Sequence, residues 1–138
     1  MKKINFIPGL GEKPRDYKAL SKYFNIVNID WNNGKTKLGK IDTLIGFSLG
    51  GIIAMMHAEK SKVKTLILCS IPPIDNLKGV KADMIIFLVG SKEIFATKHM
   101  KRVYKNYKGL KKFIIIKGAD HKIGSTYSKA ILDLTKGG

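Results

Sequence analysis

Six short apolar runs rich in β-branched residues recur along the chain, at residues 4–7, 26–29, 43–47, 63–69, 84–89 and 113–116. Nearly continuous apolar runs of this length are buried on both faces, as in a parallel sheet covered by helices, whereas a half-exposed strand would alternate polar and apolar residues. Between the runs the apolar spacing becomes helical, at residues 14–24 with Pro14 near the start, then 49–60, 93–107 and about 125–135. Residues 30–40, with Asn32-Asn33-Gly34, lack that period and read as a loop. Strands alternating with helices predict an α/β three-layer sandwich around a mostly parallel six-stranded sheet with right-handed crossovers. At 138 residues and 44% hydrophobic content the chain can bury one sizeable core, so a single domain over residues 1–138 is expected.

Other features narrow the functional classes. The start, Met1 to Pro8, is basic but too poor in apolar residues for a signal-peptide core, and no apolar run is long enough to span a bilayer. The single cysteine, Cys69, excludes an internal disulfide. A cytoplasmic protein without a membrane span is expected. The formal charge is +16, but among the 26 basic residues only Arg15 and Arg102 are arginines. Arginine is the preferred residue for bidentate phosphate and base contacts, so a lysine excess spread from Lys2 to Lys136 reads as compositional bias. Its densest stretch, Lys98 to Lys108, interleaves with Met100, Val103, Tyr104 and Tyr107 at helical spacing. That pattern predicts an amphipathic surface helix, and no dedicated nucleic-acid partner is expected.

One motif carries chemistry. Gly46-Phe47-Ser48-Leu49-Gly50, followed by Gly51, stands where the third strand turns into a helix. A serine thrust out of so sharp a turn has a strained backbone, and larger residues two positions away would collide with it or with the neighbouring strand. The bland alternative for Ser48 is a helix N-cap. In an open α/β sheet, ligand chemistry lies beyond the carboxyl ends of the strands. Those ends carry Pro8-Gly9-Leu10-Gly11, Ser48, Gly90-Ser91-Lys92-Glu93 and Gly118-Ala119-Asp120-His121. No cluster has metal-ligand spacing.

In these motifs and in the chain order serine, acid, histidine, the sequence resembles the α/β-hydrolase superfamily over about residues 3–135. The resemblance implies a catalytic Ser48 nucleophile, His121 as its general base and Glu93 as the carboxylate that orients the imidazole. It also implies an oxyanion hole from the backbone N–H groups of Leu10 and Leu49. Aspartate is commoner at the acid position in that family, Asp75 is the substitute carboxylate, and Asp120 adjoins His121 too closely to orient it. His57 and His99 fall within helical segments and read as structural or solvated.

The chain departs from the family in reading Pro8-Gly9 for His-Gly, in lacking the first two strands, and in the short connection over residues 70–82. A reduced sheet in the order 2-1-3-4-5-6, without a cap domain, is therefore implied. The open site would set specificity through Leu10, Trp31, Phe47, Ile71 and Ile74. The implied function is a serine hydrolase that cleaves a small-molecule carboxylic ester or thioester through an acyl-enzyme, with no metal or cofactor. The alternatives are an acyltransferase with the same triad or a non-catalytic binding protein that keeps the turn for structural reasons.

Overall fold

A computed structural model describes residues 4–30, 38 and 41–135. The apolar runs form strands β1 (Ile4–Ile7), β2 (Asn25–Ile26), β3 (Thr43–Phe47), β4 (Val63–Cys69), β5 (Ala82–Gly90) and β6 (Lys111–Ile116). They make one sheet in the order β2-β1-β3-β4-β5-β6, and every adjacent pair is parallel. Helices α1 (Lys18–Ser21), α2 (Leu49–Lys60), α3 (Ile94–Asn106) and α4 (Ser125–Thr135) cover it.

Because successive strand residues point to opposite faces, each apolar run serves two cores at once. Leu44, Leu66, Ile85 and Phe87 face α2 and α3, where Ala54, Met55, Ala58, Met100 and Val103 are buried. Their neighbours Ile45, Ile67, Ile86 and Leu88 face α1 and α4, where Leu20, Tyr127 and Ile131 are buried. The sheet is thus sandwiched between two helical layers, and the strand runs are apolar throughout for that reason.

Two expected elements are shorter than their sequence pattern. The run at 26–29 pairs with β1 only over Asn25 and Ile26, although Val27 and Ile29 stay buried in the core on the α2 side. As an edge strand, β2 has one neighbour, and the Asn25 side-chain amide bonds Asn5 across that pair at 2.6 Å. The expected helix at 14–24 divides into a 3-10 turn, Pro14–Tyr17, and the single turn of α1. Tyr17, Leu20 and Phe24 are all buried, so packing against the sheet holds the segment without a continuous helix.

No helix among the described residues is long and apolar enough to cross a membrane. The basic stretch lies on α3, with Met100 and Val103 inward and Lys98, Lys101, Arg102 and Lys105 outward, as an amphipathic surface helix requires.

Candidate active site

The site is built around the junction of β3 and α2. Ser48 sits there at φ 55° and ψ −125°, a left-handed backbone that a non-glycine residue adopts only when its surroundings hold it. The Ser48 N–H donates to the Cys69 carbonyl at 2.8 Å, and the Gly51 N–H closes the turn on the Ser48 carbonyl at 2.9 Å. The flanking glycines are needed for close approach. A Cβ on Gly46 would stand 2.5 Å from the Gly50 carbonyl oxygen, and one on Gly50 would stand 2.3 Å from the carbonyl oxygens of Ile7 and Pro8. Gly50 therefore lets the first turn of α2 lie against the end of β1. Ser48 occupies the N-cap position of α2 without capping it.

Its hydroxyl instead meets His121, whose Nε2 lies 3.0 Å from Ser48 Oγ. On the other side of the ring, Nδ1 lies 2.6 Å from Glu93 Oε1. The loops after β5 and β6 bring these groups together by bonding one another. Ser91 N–H donates to Ile116 O at 2.9 Å, Lys92 N–H to Ala119 O at 3.0 Å, and Gly118 N–H to Ser91 Oγ at 2.8 Å. The Phe47 ring lies under the imidazole, with centroids 5.1 Å apart.

Burial divides the roles of these two hydrogen-bonded groups. The Glu93 side chain is only 6% exposed, whereas that of His121 is 53% exposed. The second carboxylate oxygen of Glu93 accepts the Ser70 hydroxyl at 2.6 Å and the Gly90 N–H at 2.8 Å. Although Glu93 occupies the N-cap position of α3, its carboxylate makes no cap there. With Glu93 ionised, Nδ1–H donates to it, and the Nε2 lone pair then faces the Ser48 hydroxyl. A hydroxyl so placed can lose its proton to Nε2 as it attacks an electrophile.

The loop after β1 leans on the same junction. Glu12 N–H donates to Gly9 O at 3.0 Å, and Glu12 Oε1 accepts the Gly9 N–H at 2.8 Å together with the Tyr17 hydroxyl. Leu10 is at the tip of this turn with its side chain largely in solvent, and Leu49 is the first residue of α2.

Other candidates fall elsewhere. Ile71 is 1% exposed, and its Cγ2 lies where a Cβ on Gly51 would go, so it belongs to the core and has no surface to offer a ligand. Phe47 is also buried and supports the imidazole from below. Ile74 is half-buried in the connection between β4 and β5, packed on the α2 side of the core. Trp31 lies outside the described residues. Asp75 and Asp120 are exposed, and Glu93 is the carboxylate bonded to His121. His57 Nε2 and His99 Nδ1 are buried without a hydrogen-bond partner among the described residues. Burial lowers the pKa of both rings below the ordinary 6.5, aided at His99 by the Arg102 charge.

Ser70 and Tyr127 join this constellation without having been anticipated. The available signal was positional: Ser70 directly follows β4, at the same carboxyl edge that carries Ser48 and Glu93.

In structure the chain is similar to several known hydrolases. It matches the dienelactone hydrolase from Anabaena variabilis at 16% identity and a TM-score of 0.63, over 96% of this chain and 83% of that one. The esterase PE8 matches at 13% identity and a TM-score of 0.67, over 96% of this chain and 91% of that one. A structure from work on carboxylesterases of the ammonia-oxidizing thaumarchaeon Nitrososphaera gargenis matches at 14% identity and a TM-score of 0.62, over 96% and 88%. No protein-family model and no curated protein matches the chain. At these identities the likeness is one of fold.

Proposed function

We propose that this chain, which has the α/β-hydrolase fold, is a serine hydrolase that cleaves a carboxylic ester or thioester through an acyl-enzyme. The observation that carries this reading is the hydrogen-bonded series Ser48, His121, Glu93 on a strained strand-to-helix turn. The activities named for the structural neighbours agree with it.

In the first half-reaction Ser48 Oγ attacks the acyl carbon while its proton passes to His121 Nε2. Glu93 holds the imidazole by Nδ1–H and stabilises the imidazolium that forms. The tetrahedral oxyanion is received by the backbone N–H groups of Leu49 and Leu10, each such donor being worth on the order of a hundredfold to a thousandfold in turnover. Collapse breaks the bond to the alkoxide or thiolate, which takes the proton from His121. Water then repeats the sequence on the acyl-enzyme and frees Ser48.

The chain between β4 and β5 contains no helix, and His121 stays half in solvent. An open site of this kind suits a small acyl group. Leu10, a residue 65% exposed at the tip of the loop after β1, is the proposed border of that site.

The test is hydrolysis of an acyl-chain series of activated esters by wild type and Ser48→Ala, together with fluorophosphonate labelling. Turnover dependent on Ser48, strongest for short chains, and labelling lost in His121→Ala are expected. Equal rates for wild type and Ser48→Ala would overturn the proposal.

A further inference from the structure

Glu93 is held from behind by a second series of hydroxyls that the catalytic reading leaves unexplained. Ser70 Oγ donates to Glu93 Oε2 at 2.6 Å and lies 2.7 Å from the Tyr127 hydroxyl, which in turn is 3.2 Å from the Leu88 carbonyl. Ser70 and Tyr127 are both almost wholly buried, so these polar groups have been taken out of water to meet one another. Ser70 also carries φ 48°, which makes it, with Ser48, one of the two non-glycine residues of positive φ among the described residues. Strain at a buried residue persists only where its surroundings hold it there, and here the strained backbone aims a hydroxyl at the carboxylate.

Proton counting sets the direction of this series. Two hydroxyl protons serve three contacts. An ionised Glu93 only accepts, so the Ser70 proton points at Oε2. The Leu88 carbonyl already accepts the Ser70 N–H at 2.8 Å. That carbonyl could accept a second time, but two hydroxyl oxygens 2.7 Å apart need a proton between them. With the Ser70 proton on Glu93, it is Tyr127 that supplies it to Ser70 Oγ. Burial keeps the phenol protonated and available as a donor, and the Cys69 thiol lies against it as well. The series thus holds the carboxylate in one orientation, with Oε1 left to His121.

We propose that Ser70 and Tyr127 are positioning residues for Glu93, and extend the Ser48–His121–Glu93 series inward by two ordered hydroxyls. The inference rests on the reading of that series as a catalytic triad. It also accounts for a glutamate here. The longer side chain reaches His121 with one oxygen while its other oxygen is anchored by Ser70 and by the Gly90 N–H.

The experiment compares wild type, Ser70→Ala, Ser70→Gly, Tyr127→Phe and Ser70→Ala/Tyr127→Phe by ester kinetics, urea unfolding and the downfield proton resonance of His121 Nδ1–H. Ser70→Gly removes the hydroxyl while relieving the positive φ, so it separates positioning from folding. Loss of a hydrogen bond to a charged group is expected to lower kcat roughly tenfold to a hundredfold in both Ser70 variants, with KM unchanged. In Tyr127→Phe the fall is expected to be roughly threefold to tenfold. The double variant should match Ser70→Ala, because Tyr127 acts through Ser70. The His121 resonance should broaden in each variant as the carboxylate loosens.

Wild-type kcat in a folded Ser70→Gly, or equal added losses from Tyr127→Phe in both backgrounds, would overturn the proposal. If wild type shows no Ser48-dependent turnover, the hydrolase reading fails by itself. The resonance then decides the network: broadening in Ser70→Gly supports it, and an unchanged line overturns it.

Discussion

Ser48 is held at φ 55° by hydrogen bonds to Cys69 and Gly51 and by glycines on either side, so the residue with the proposed chemistry is also a place of backbone strain. Replacing it with glycine removes the cost of a left-handed non-glycine residue. Ser48→Gly is therefore expected to stabilise the fold by about 1 kcal/mol in urea unfolding while abolishing ester turnover. Unchanged or reduced stability would mean that the turn is not strained in solution. Glu93 invites the complementary experiment. Glu93→Asp shortens the carboxylate by one methylene, so it cannot keep His121, Ser70 and Gly90 together. Its kcat should fall at least roughly tenfold, since small misplacements of a catalytic group cost that much or more. A fully active aspartate variant would show that the anchoring of the second oxygen is dispensable.

At the scale of elements, α2 depends on how closely its first turn approaches β1. A methyl group on Gly50 meets two backbone carbonyls, which cannot swing aside as a side chain can. Gly50→Ala is expected to cost roughly 1–3 kcal/mol of stability by urea unfolding, with loss of turnover as the Ser48 turn moves away from the loop after β1. The same helix carries His57, and α3 carries His99, each with a buried unpaired ring nitrogen and a pKa lowered first by burial. For such groups the unfolded chain takes up protons before the native one. Stability is full above the ordinary value of 6.5 and declines as pH falls toward the lower native value. The urea midpoint should drop between about pH 7 and pH 5, and His57→Leu/His99→Leu should flatten part of that slope. An identical slope in the double variant would show that these rings do not titrate differently on unfolding.

For the whole molecule the dominant electrostatic fact is a net charge of +16 on 138 residues. The Lys62–Asp83 ion pair is mostly in solvent and offsets little of it. Self-repulsion favours the expanded chain and is screened over about 10 Å at 0.1 M salt. The melting temperature is therefore expected to rise as sodium chloride is raised from about 0.01 M to 0.3 M. A melting temperature insensitive to salt would show that the charges are too dispersed to matter. The burial needed to withstand that repulsion is supplied on both sheet faces, with Phe6, Ile45, Leu44, Leu66, Ile85 and Phe87 at 0% exposure.

The sequence by itself determined the six strands and the helical layers, because continuous apolar runs admit only a sheet covered on both sides, while the strand order followed from the resemblance of its strand-end motifs to the α/β hydrolases. It also placed Ser48, Glu93 and His121 at strand ends, since glycine-flanked turns are visible locally. It overran β2 and the segment at 14–24, where apolar periodicity reports burial and says nothing of whether the backbone pairs or coils. Only the tertiary structure decided that Ile71 is core, that Phe47 lies beneath His121, and that Ser70 and Tyr127, 57 positions apart, form a hydrogen-bonded series ending on Glu93. Such contacts join different elements across the folded sheet, and neither spacing nor composition encodes which hydroxyls will meet there.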